Sequence, residues 1–180
     1  MPQIHPLTIE QADPAVADKL SAMKAKIGMV PNVVGTLANS QAALNLYLAS
    51  SHALSGGKLS ARQREIVALT IGQLNQCHYC VSAHTMIGKG AGLSPEEILH
   101  ARLGKGANPI DNAIATVASK LITKSGFLTA EDIAEAKAAG LDDGLIIEII
   151  ANLVHNILTN YTNHVAQTEI DFPVVPLEIE

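Results

Sequence analysis

The sequence contains no tryptophan, and its aromatic residues make up only 3% of 180 positions. Acidic residues outnumber basic ones by 17 to 12, which gives a net charge of -5. Proteins that bind nucleic acids rely on basic patches and on aromatic side chains that stack against bases. This chain is poor in both, so we expect no nucleic-acid partner.

Long apolar runs are also missing, although 48% of the residues are hydrophobic. No run approaches the roughly 18 residues that a membrane span requires. Residues 1–6 show neither the basic segment nor the apolar segment of a secretory signal peptide. We therefore expect a soluble cytoplasmic protein with no membrane partner. Its length fits one domain, because domains commonly contain roughly 100 to 200 residues.

Cysteine occurs only twice, at Cys77 and Cys80. In a reducing cytoplasm, a C-x-x-C pair is more often catalytic, redox-active or metal-binding than a structural disulfide, and we expect it to rest mainly as thiols. A disulfide across so short a loop would also stabilise the fold little. Such a pair can accept two electrons from an oxidant and be reset by another dithiol. The spacing therefore indicates redox chemistry.

Helix signals recur along the whole chain, and no strand pair is predicted, so the fold class is all-α. Helix starts are predicted at the capping residues Asp13, Ser40, Ser60, Ser94, Asn108, Thr129 and Asp142. Residues 28–32 are predicted to form a turn. The last helix is expected to end near Thr159, and the tail beyond residue 170 should be extended because its prolines oppose a helix.

A further helix is predicted to begin around Cys77, which places the sulfurs where the helix dipole and unpaired N–H groups favour a thiolate. His84 lies one turn after Cys80 on the same face. Glu65, in the preceding helix, could pack beside His84. A carboxylate and an imidazole together supply the base that forms a thiolate and the acid that protonates a leaving oxygen.

These residues resemble the signature of the carboxymuconolactone decarboxylase superfamily and, within it, the alkylhydroperoxidase AhpD-like branch. The signature has an acid, a C-x-x-C pair and a histidine four residues after the second cysteine, and the resemblance extends over about residues 27–173. It implies an AhpD-like domain of about eight to nine helices, a homo-oligomer and a thiol peroxidase-like activity. We predict a single domain over residues 1–180, with an N-terminal extension over residues 1–27 and an extended tail over about residues 170–180.

The resemblance also implies roles for the site residues. Cys80 is similar to the thiol that attacks the peroxide, Cys77 to the resolving thiol, and Glu65 with His84 to a proton relay. The implied substrate is a hydroperoxide, and the implied partner is an external dithiol of the lipoyl or thioredoxin kind. No cofactor is implied.

Two neighbouring residues are secondary candidates. Tyr79 occupies the position of a histidine in the AhpD pattern, and His78 lies one place earlier. A tyrosine donates a hydrogen bond but does not titrate near neutral pH as imidazole does. Tyr79 is expected to pack in the core or to line the site, and His78 is expected to face away from Cys80 into solvent.

Three alternatives remain open. One is a cofactor-free lactone decarboxylase, and another is a family member without catalytic activity. The third is a metal site formed by Cys77, Cys80, His84 and either Glu65 or His78, because thiolates and imidazoles suit zinc. No second ligand cluster follows at zinc-finger spacing, and we predict no bound metal. The histidines with predicted structural roles are His52, His155 and His164.

Overall fold

A computed structural model describes residues 1–179, and within that range the chain forms nine helices and no strand. The helices are α1 (Pro14–Ile27), α2 (Asn32–Leu37), α3 (Gln41–Ser55), α4 (Ala61–Leu74), α5 (His78–Gly90), α6 (Pro95–Arg102), α7 (Pro109–Thr123), α8 (Ala130–Ala138) and α9 (Asp143–Ala166). The predicted all-α class is confirmed. None of the helices in this range has both the length and the apolar character needed to cross a membrane.

Capping residues define most of the helix starts, as the sequence predicts. At the start of α4, the Ser60 hydroxyl accepts a hydrogen bond from the Gln63 N–H at 3.2 Å, and the Gln63 side chain accepts one from the Ser60 N–H at 3.0 Å. The same reciprocal arrangement opens α6 at Ser94 and α8 at Thr129. A cap of this kind typically stabilises a helix by about 1 kcal/mol.

Two helices differ from the prediction. Helix α2 follows the predicted turn directly and was not predicted, because it is short and rich in β-branched residues of low helix propensity. Its residues 33–37 are buried, so tertiary packing stabilises it. The predicted end of α9 near Thr159 was wrong, since the helix continues to Ala166. Its last turns carry polar residues that are buried, including Asn160 and Asn163, which the sequence alone suggests would be exposed.

Helix α4 is the centre of the packing and contacts α5, α6, α7 and α9. Its side chains Val67, Leu69 and Ile71 are completely buried. A second apolar cluster, built on α1, α2, α3 and the start of α5, contains both cysteines. Helices α4 and α5 are in close contact here, because a Cβ atom added at Gly72 would lie 3.4 Å from the Cβ of Cys80, at van der Waals distance. The C-x-x-C pair is thus packed directly against the central helix.

The C-terminal tail, residues 167–179, contains no helix. It packs against α2 and α6 through hydrogen bonds. A carboxylate oxygen of Asp171 accepts a hydrogen bond from the Asn32 N–H at 2.7 Å, which fixes the tail to the start of α2. Further along, the Arg102 guanidinium of α6 donates to the Pro176 carbonyl at 2.7 Å. These bonds hold the tail against the side of the protein that contains the cysteines.

Candidate active site

Both cysteines lie at the N-terminus of α5. Cys77 is the capping residue, and its sulfur accepts a hydrogen bond from the Cys80 N–H at 3.3 Å. The two sulfurs are joined in a disulfide, whereas the sequence alone suggested resting thiols. The exposed fraction is 0% for Cys77 and 3% for Cys80. When the disulfide is reduced, the unpaired N–H groups of the helix terminus favour a thiolate at this position.

Two amide side chains of α9 donate to the sulfur of Cys80. The Nδ2 atoms of Asn160 and Asn163 lie 3.0 Å and 3.3 Å from the Cys80 Sγ, whereas Asn163 is 3.8 Å from the Cys77 Sγ. Asn75 donates to the Oδ1 of Asn160 at 2.8 Å and so fixes the direction of that amide. Because a hydrogen bond to the charged form favours that form, this arrangement stabilises negative charge on Cys80 more than on Cys77.

Glu65 and His84 form an ion pair in the same region. Glu65 extends from the second turn of α4, and its Oε2 lies 2.8 Å from the Nδ1 of His84 on α5. Burial alone would lower the pKa of His84, but the charge of Glu65 and its hydrogen bond outweigh burial and raise the pKa above its ordinary value. The pairing with Glu65 therefore favours the protonated imidazole, which is the form that can donate a proton.

His155, from α9, and His84 both line a cavity that opens beside Cys80. Its Nδ1 lies 2.8 Å from the Ser50 hydroxyl, and its ring stacks on Tyr47 with 5.1 Å between the ring centroids. Burial, together with the charge of His84, lowers the pKa of His155 to about 4. The sequence predicts only a structural role for His155. The structure places its imidazole in the wall of the cavity, where the lowered pKa favours the neutral form.

The depressed pKa of His155 makes stability dependent on pH. Between its ordinary value of 6.5 and about 4, the unfolded chain binds more protons than the folded one. The free energy of unfolding should therefore fall as the pH drops through this window, by up to roughly 3 kcal/mol from this residue. Urea unfolding at several pH values measures the slope. His155→Gln should flatten it, and the exposed control His52→Gln should not; equal slopes in the two variants would contradict the assignment.

The two secondary candidates take different positions. Tyr79 is buried, and its hydroxyl donates to a carboxylate oxygen of Asp171 at 2.7 Å while accepting from the Val33 N–H at 3.2 Å. Burial, followed by the bond to Asp171, raises the pKa of Tyr79 far above its ordinary value. The hydroxyl thus fastens the tail, and the ring lines the cavity. His78 is exposed, and it is not among the residues of the cavity wall.

A cavity of about 350 Å³ opens beside Cys80. We call it the sulfur cavity, and its lining residues are Met23, Ile27, Met29, Pro31, Val33, Tyr47, Tyr79, Cys80, Ala83, His84, Met86, Ile87, His155, Asn156, Thr159, Asn163 and Phe172. A smaller cavity of about 200 Å³ shares His84 and His155 with it and is lined also by Glu65 and Arg64. The imidazole of His84 is therefore common to both cavities.

The structure brings four predicted residues into one region. Cys80 and His84 line the sulfur cavity. Behind them, Cys77 is bonded to Cys80, and Glu65 is hydrogen-bonded to His84. Within residues 1–179, no group of three or more histidine, cysteine, aspartate or glutamate side chains is arranged to hold a metal ion. The arrangement can store two electrons in a dithiol and move a proton at the imidazole.

Comparison with known proteins gives one family model and several solved structures. The family model described as the carboxymuconolactone decarboxylase family matches residues 38–107, a segment that includes all four of these residues. The crystal structure of an alkylhydroperoxidase AhpD core, a peroxidase-related protein from Ralstonia eutropha JMP134, superposes with a TM-score of 0.85. The two chains are 22% identical, and the match covers 94% of this chain and 92% of that one. The chain has the fold of this AhpD core.

Other solved structures share the AhpD-like fold. A peroxidase-related protein from Silicibacter sp. TM1040 has a TM-score of 0.80 at 22% identity, over 93% of this chain and 92% of that one. A third structure is the debrominase Bmp8, as a cysteine-to-alanine variant in complex with 2,3,4-tribromopyrrole. Its TM-score is 0.78 at 17% identity, and the match covers 94% of this chain and 91% of that one. No curated protein matches the sequence significantly. The predicted resemblance to the carboxymuconolactone decarboxylase superfamily is confirmed by the family model over residues 38–107 and by the fold.

Proposed function

We propose that the protein is a thiol-dependent peroxidase that reduces organic hydroperoxides through Cys77 and Cys80. The observation that carries the proposal is the position of the disulfide, which adjoins a cavity whose wall also holds the imidazole of the Glu65–His84 pair. The nucleophile, the resolving thiol and the proton donor then all come from α5 and its N-cap, and α4 supplies the carboxylate of Glu65.

The first step consumes one hydroperoxide molecule. The thiolate of Cys80 attacks the terminal oxygen of the O–O bond, which breaks, and the sulfur becomes a sulfenic acid. The leaving alkoxide takes a proton, which His84 supplies, and departs as an alcohol. His84 is then neutral, and it regains a proton from solvent through the smaller cavity, where the negative charge of Glu65 favours this uptake.

The second step closes the disulfide. The thiol of Cys77 displaces hydroxide from the sulfenic acid of Cys80, so that one water molecule is released and the disulfide forms. An external dithiol of the lipoyl or thioredoxin kind then reduces the pair, and is itself oxidised to a disulfide. Because the two sulfurs are almost completely buried, we expect a slender reductant that enters by way of the sulfur cavity.

The amide donors of α9 predict a measurable effect on the reduced protein. Asn160→Ala removes the shorter hydrogen bond to Cys80, and a bond to a charged group contributes about 1.5 to 3 kcal/mol. We expect at least a tenfold smaller thiolate population at a given pH. Ultraviolet titration of the thiolate in a Cys77→Ser background measures it. Asn75→Ala should give a smaller change in the same direction, and the exposed Asn45→Ala should give none; a normal titration in Asn160→Ala would contradict this role.

The peroxidase proposal is tested in a single turnover. Anaerobically reduced protein is mixed with one equivalent of cumene hydroperoxide, and thiols and intact mass are followed. Rapid loss of both thiols, one intrachain disulfide and one equivalent of cumyl alcohol would support the proposal. Thiols that survive, or alcohol formed without thiol loss, would overturn it.

A second candidate is reductive dehalogenation, because the fold matches a debrominase. Two thiols and a carbon–bromine bond can give a disulfide, a carbon–hydrogen bond and hydrogen bromide. Bromide release from a brominated pyrrole, in the same single-turnover format, distinguishes this reaction from peroxide reduction. The lactone decarboxylase alternative has less support, since no lysine or arginine within residues 1–179 lines the sulfur cavity to bind a carboxylate.

We also propose that the chain forms a homo-oligomer through the outer face of α9. Ile147, Val154, Tyr161 and Val165 fall on one stripe of this helix and are 57% to 64% exposed. A contiguous apolar stripe of this kind is typical of a protein interface. Light scattering after size-exclusion chromatography should show an oligomer, and Val154→Lys should shift it towards the monomer. A monomeric parent protein would contradict the proposal.

A further inference from the structure

The C-terminal tail forms part of the wall of the sulfur cavity. Of the described residues that line this cavity, only Met29, Pro31 and Phe172 lie outside the helices. Phe172 belongs to the tail, and its ring meets the ring of Tyr79 edge-on, with 5.6 Å between the centroids. Its side chain also packs against the apolar cluster that contains both cysteines. The tail therefore lies beside the disulfide.

The carboxylate of Asp171 joins three parts of this wall. One of its oxygens accepts a hydrogen bond from the Asn32 N–H and the other accepts one from the Tyr79 hydroxyl, each at 2.7 Å. Asn32 begins α2 directly after the turn that supplies the other two non-helical residues of the wall, and Tyr79 precedes Cys80 on α5. Asp171 thus connects the tail both to the start of α2 and to the first turn of α5.

The next part of the tail is held only loosely. Its next anchor is the Val175 N–H, which donates to the Ser82 hydroxyl at 3.1 Å. Between the two anchors, residues 172–174 make no hydrogen bond to any residue of the described chain, and Val174 is 63% exposed. A segment with so few bonds opens at a lower free-energy cost than the helices around it. Release of Asp171 would therefore free Phe172 to move while the helices stay folded.

Reduction of the disulfide requires a thiolate to reach one of its sulfurs. An external dithiol attacks that sulfur to form a mixed disulfide, and its second thiol then closes a disulfide of its own. Two electrons and two protons thereby pass to Cys77 and Cys80, which become thiols. Because these residues are 0% and 3% exposed, the approach runs through the sulfur cavity. A small dithiol fits its volume of about 350 Å³, whereas the wall stops a folded protein that carries a dithiol on its surface.

From these contacts we infer that residues 170–174 form a movable cover beside the disulfide, held closed by Asp171, with Phe172 as the side chain that blocks the approach. The closed cover admits small molecules to Cys80 and keeps a protein-borne dithiol out. When Asp171 releases its two donors, both kinds of reductant reach the sulfur. This role concerns access to the disulfide, so it goes beyond the proposed peroxidase reaction and does not depend on which substrate oxidises the thiols.

The test compares two reductants on the disulfide form of the protein. Dithiothreitol is the small one and reduced thioredoxin is the protein-borne one, and the thiols formed are counted by alkylation and intact mass. Asp171→Ala and Tyr79→Phe each remove a bond that closes the cover. Because loss of a hydrogen bond to a carboxylate shifts an opening equilibrium about tenfold or more, we expect the rate with thioredoxin to rise at least about tenfold in each variant. The rate with dithiothreitol should change less than about threefold, since this reductant does not require opening.

The matched control is Glu169→Ala. It removes an exposed carboxylate from the same tail but keeps the backbone carbonyl that accepts from the Asn32 side chain at 3.0 Å. Both rates should stay as in the parent protein. Unchanged rates with thioredoxin in Asp171→Ala and Tyr79→Phe would overturn the inference. Equal acceleration with both reductants would also overturn it, because it would show a general loosening of α5.

A single tryptophan reports the position of the cover directly. The chain contains no tryptophan, so Phe172→Trp introduces one fluorophore at the cavity wall. Adding Asp171→Ala should shift its emission to longer wavelength and increase its quenching by acrylamide, while far-ultraviolet circular dichroism shows that the helices are retained. Emission and quenching that do not respond to Asp171→Ala would overturn the inference. Because no peroxide is used, these results stand apart from the single-turnover test of the peroxidase.

Discussion

Replacement of Cys80 by serine is expected to abolish the reduction of organic hydroperoxides. A serine hydroxyl occupies nearly the same volume, so the surrounding packing should be retained, but it does not ionise to a nucleophile as a thiol does. We expect the rate of peroxide consumption to fall at least about a thousandfold. Loss of cumene hydroperoxide from a solution that contains excess dithiothreitol measures the rate.

The matched variant is Cys77→Ser, which removes the resolving thiol and retains the attacking one. Without added dithiothreitol, it should consume one equivalent of hydroperoxide rapidly and then stop, because the sulfenic acid of Cys80 has no thiol partner. Equal rates for the parent protein and Cys80→Ser would remove Cys80 from the mechanism. A burst in Cys80→Ser rather than in Cys77→Ser would reverse the two assignments.

The second large effect is expected from Glu65→Gln. The glutamine retains a hydrogen bond to His84 but removes the negative charge that raises the pKa of the imidazole. His84 should then lose its proton at a lower pH, and less of the acid would be present to protonate the leaving alkoxide. General acid catalysis commonly contributes about a hundredfold to ten-thousandfold, so we expect a rate loss in this range at alkaline pH.

The pH profile separates this role from a structural one. In the parent protein, the rate of disulfide formation should fall on the alkaline side as His84 deprotonates, and Glu65→Gln should shift that fall to lower pH. The control Glu135→Gln alters an exposed glutamate that pairs with Lys120, and it should leave the profile in place. A uniform loss of rate at every pH would contradict a proton-donating role for the pair.

The fold was largely predictable because its helices begin at residues with local signals. Ser60 and Gln63 form their capping box within four residues of sequence, and Pro14 follows its cap Asp13 directly. The missed helix α2 has no comparable cap and depends on burial by distant segments. The extra turns of α9 also depend on tertiary packing, because their polar side chains reach the sulfurs.

The candidate site likewise contains some residues that are close in sequence and others that only tertiary packing brings together. Cys77, Cys80 and His84 lie on one short stretch of helix, so their proximity follows from helical geometry. Asn160, by contrast, is 80 residues from Cys80 in sequence and meets it only because α9 packs beside α5. An asparagine in a long amphipathic helix carries no signal of its own. The position of His155 in the cavity wall likewise depends on the packing of α9, which no local pattern in the sequence indicates.

The most direct test of the central claim is to trap the sulfenic acid and locate it. Cys77→Ser protein, reduced and then treated with one equivalent of cumene hydroperoxide in the presence of dimedone, is digested and analysed by mass spectrometry. The account predicts a dimedone adduct on Cys80 and no adduct in Cys80→Ser treated in the same way. An unmodified Cys80 in the first variant, or an adduct on Cys77 in the second, would contradict the claim that Cys80 is the attacking sulfur.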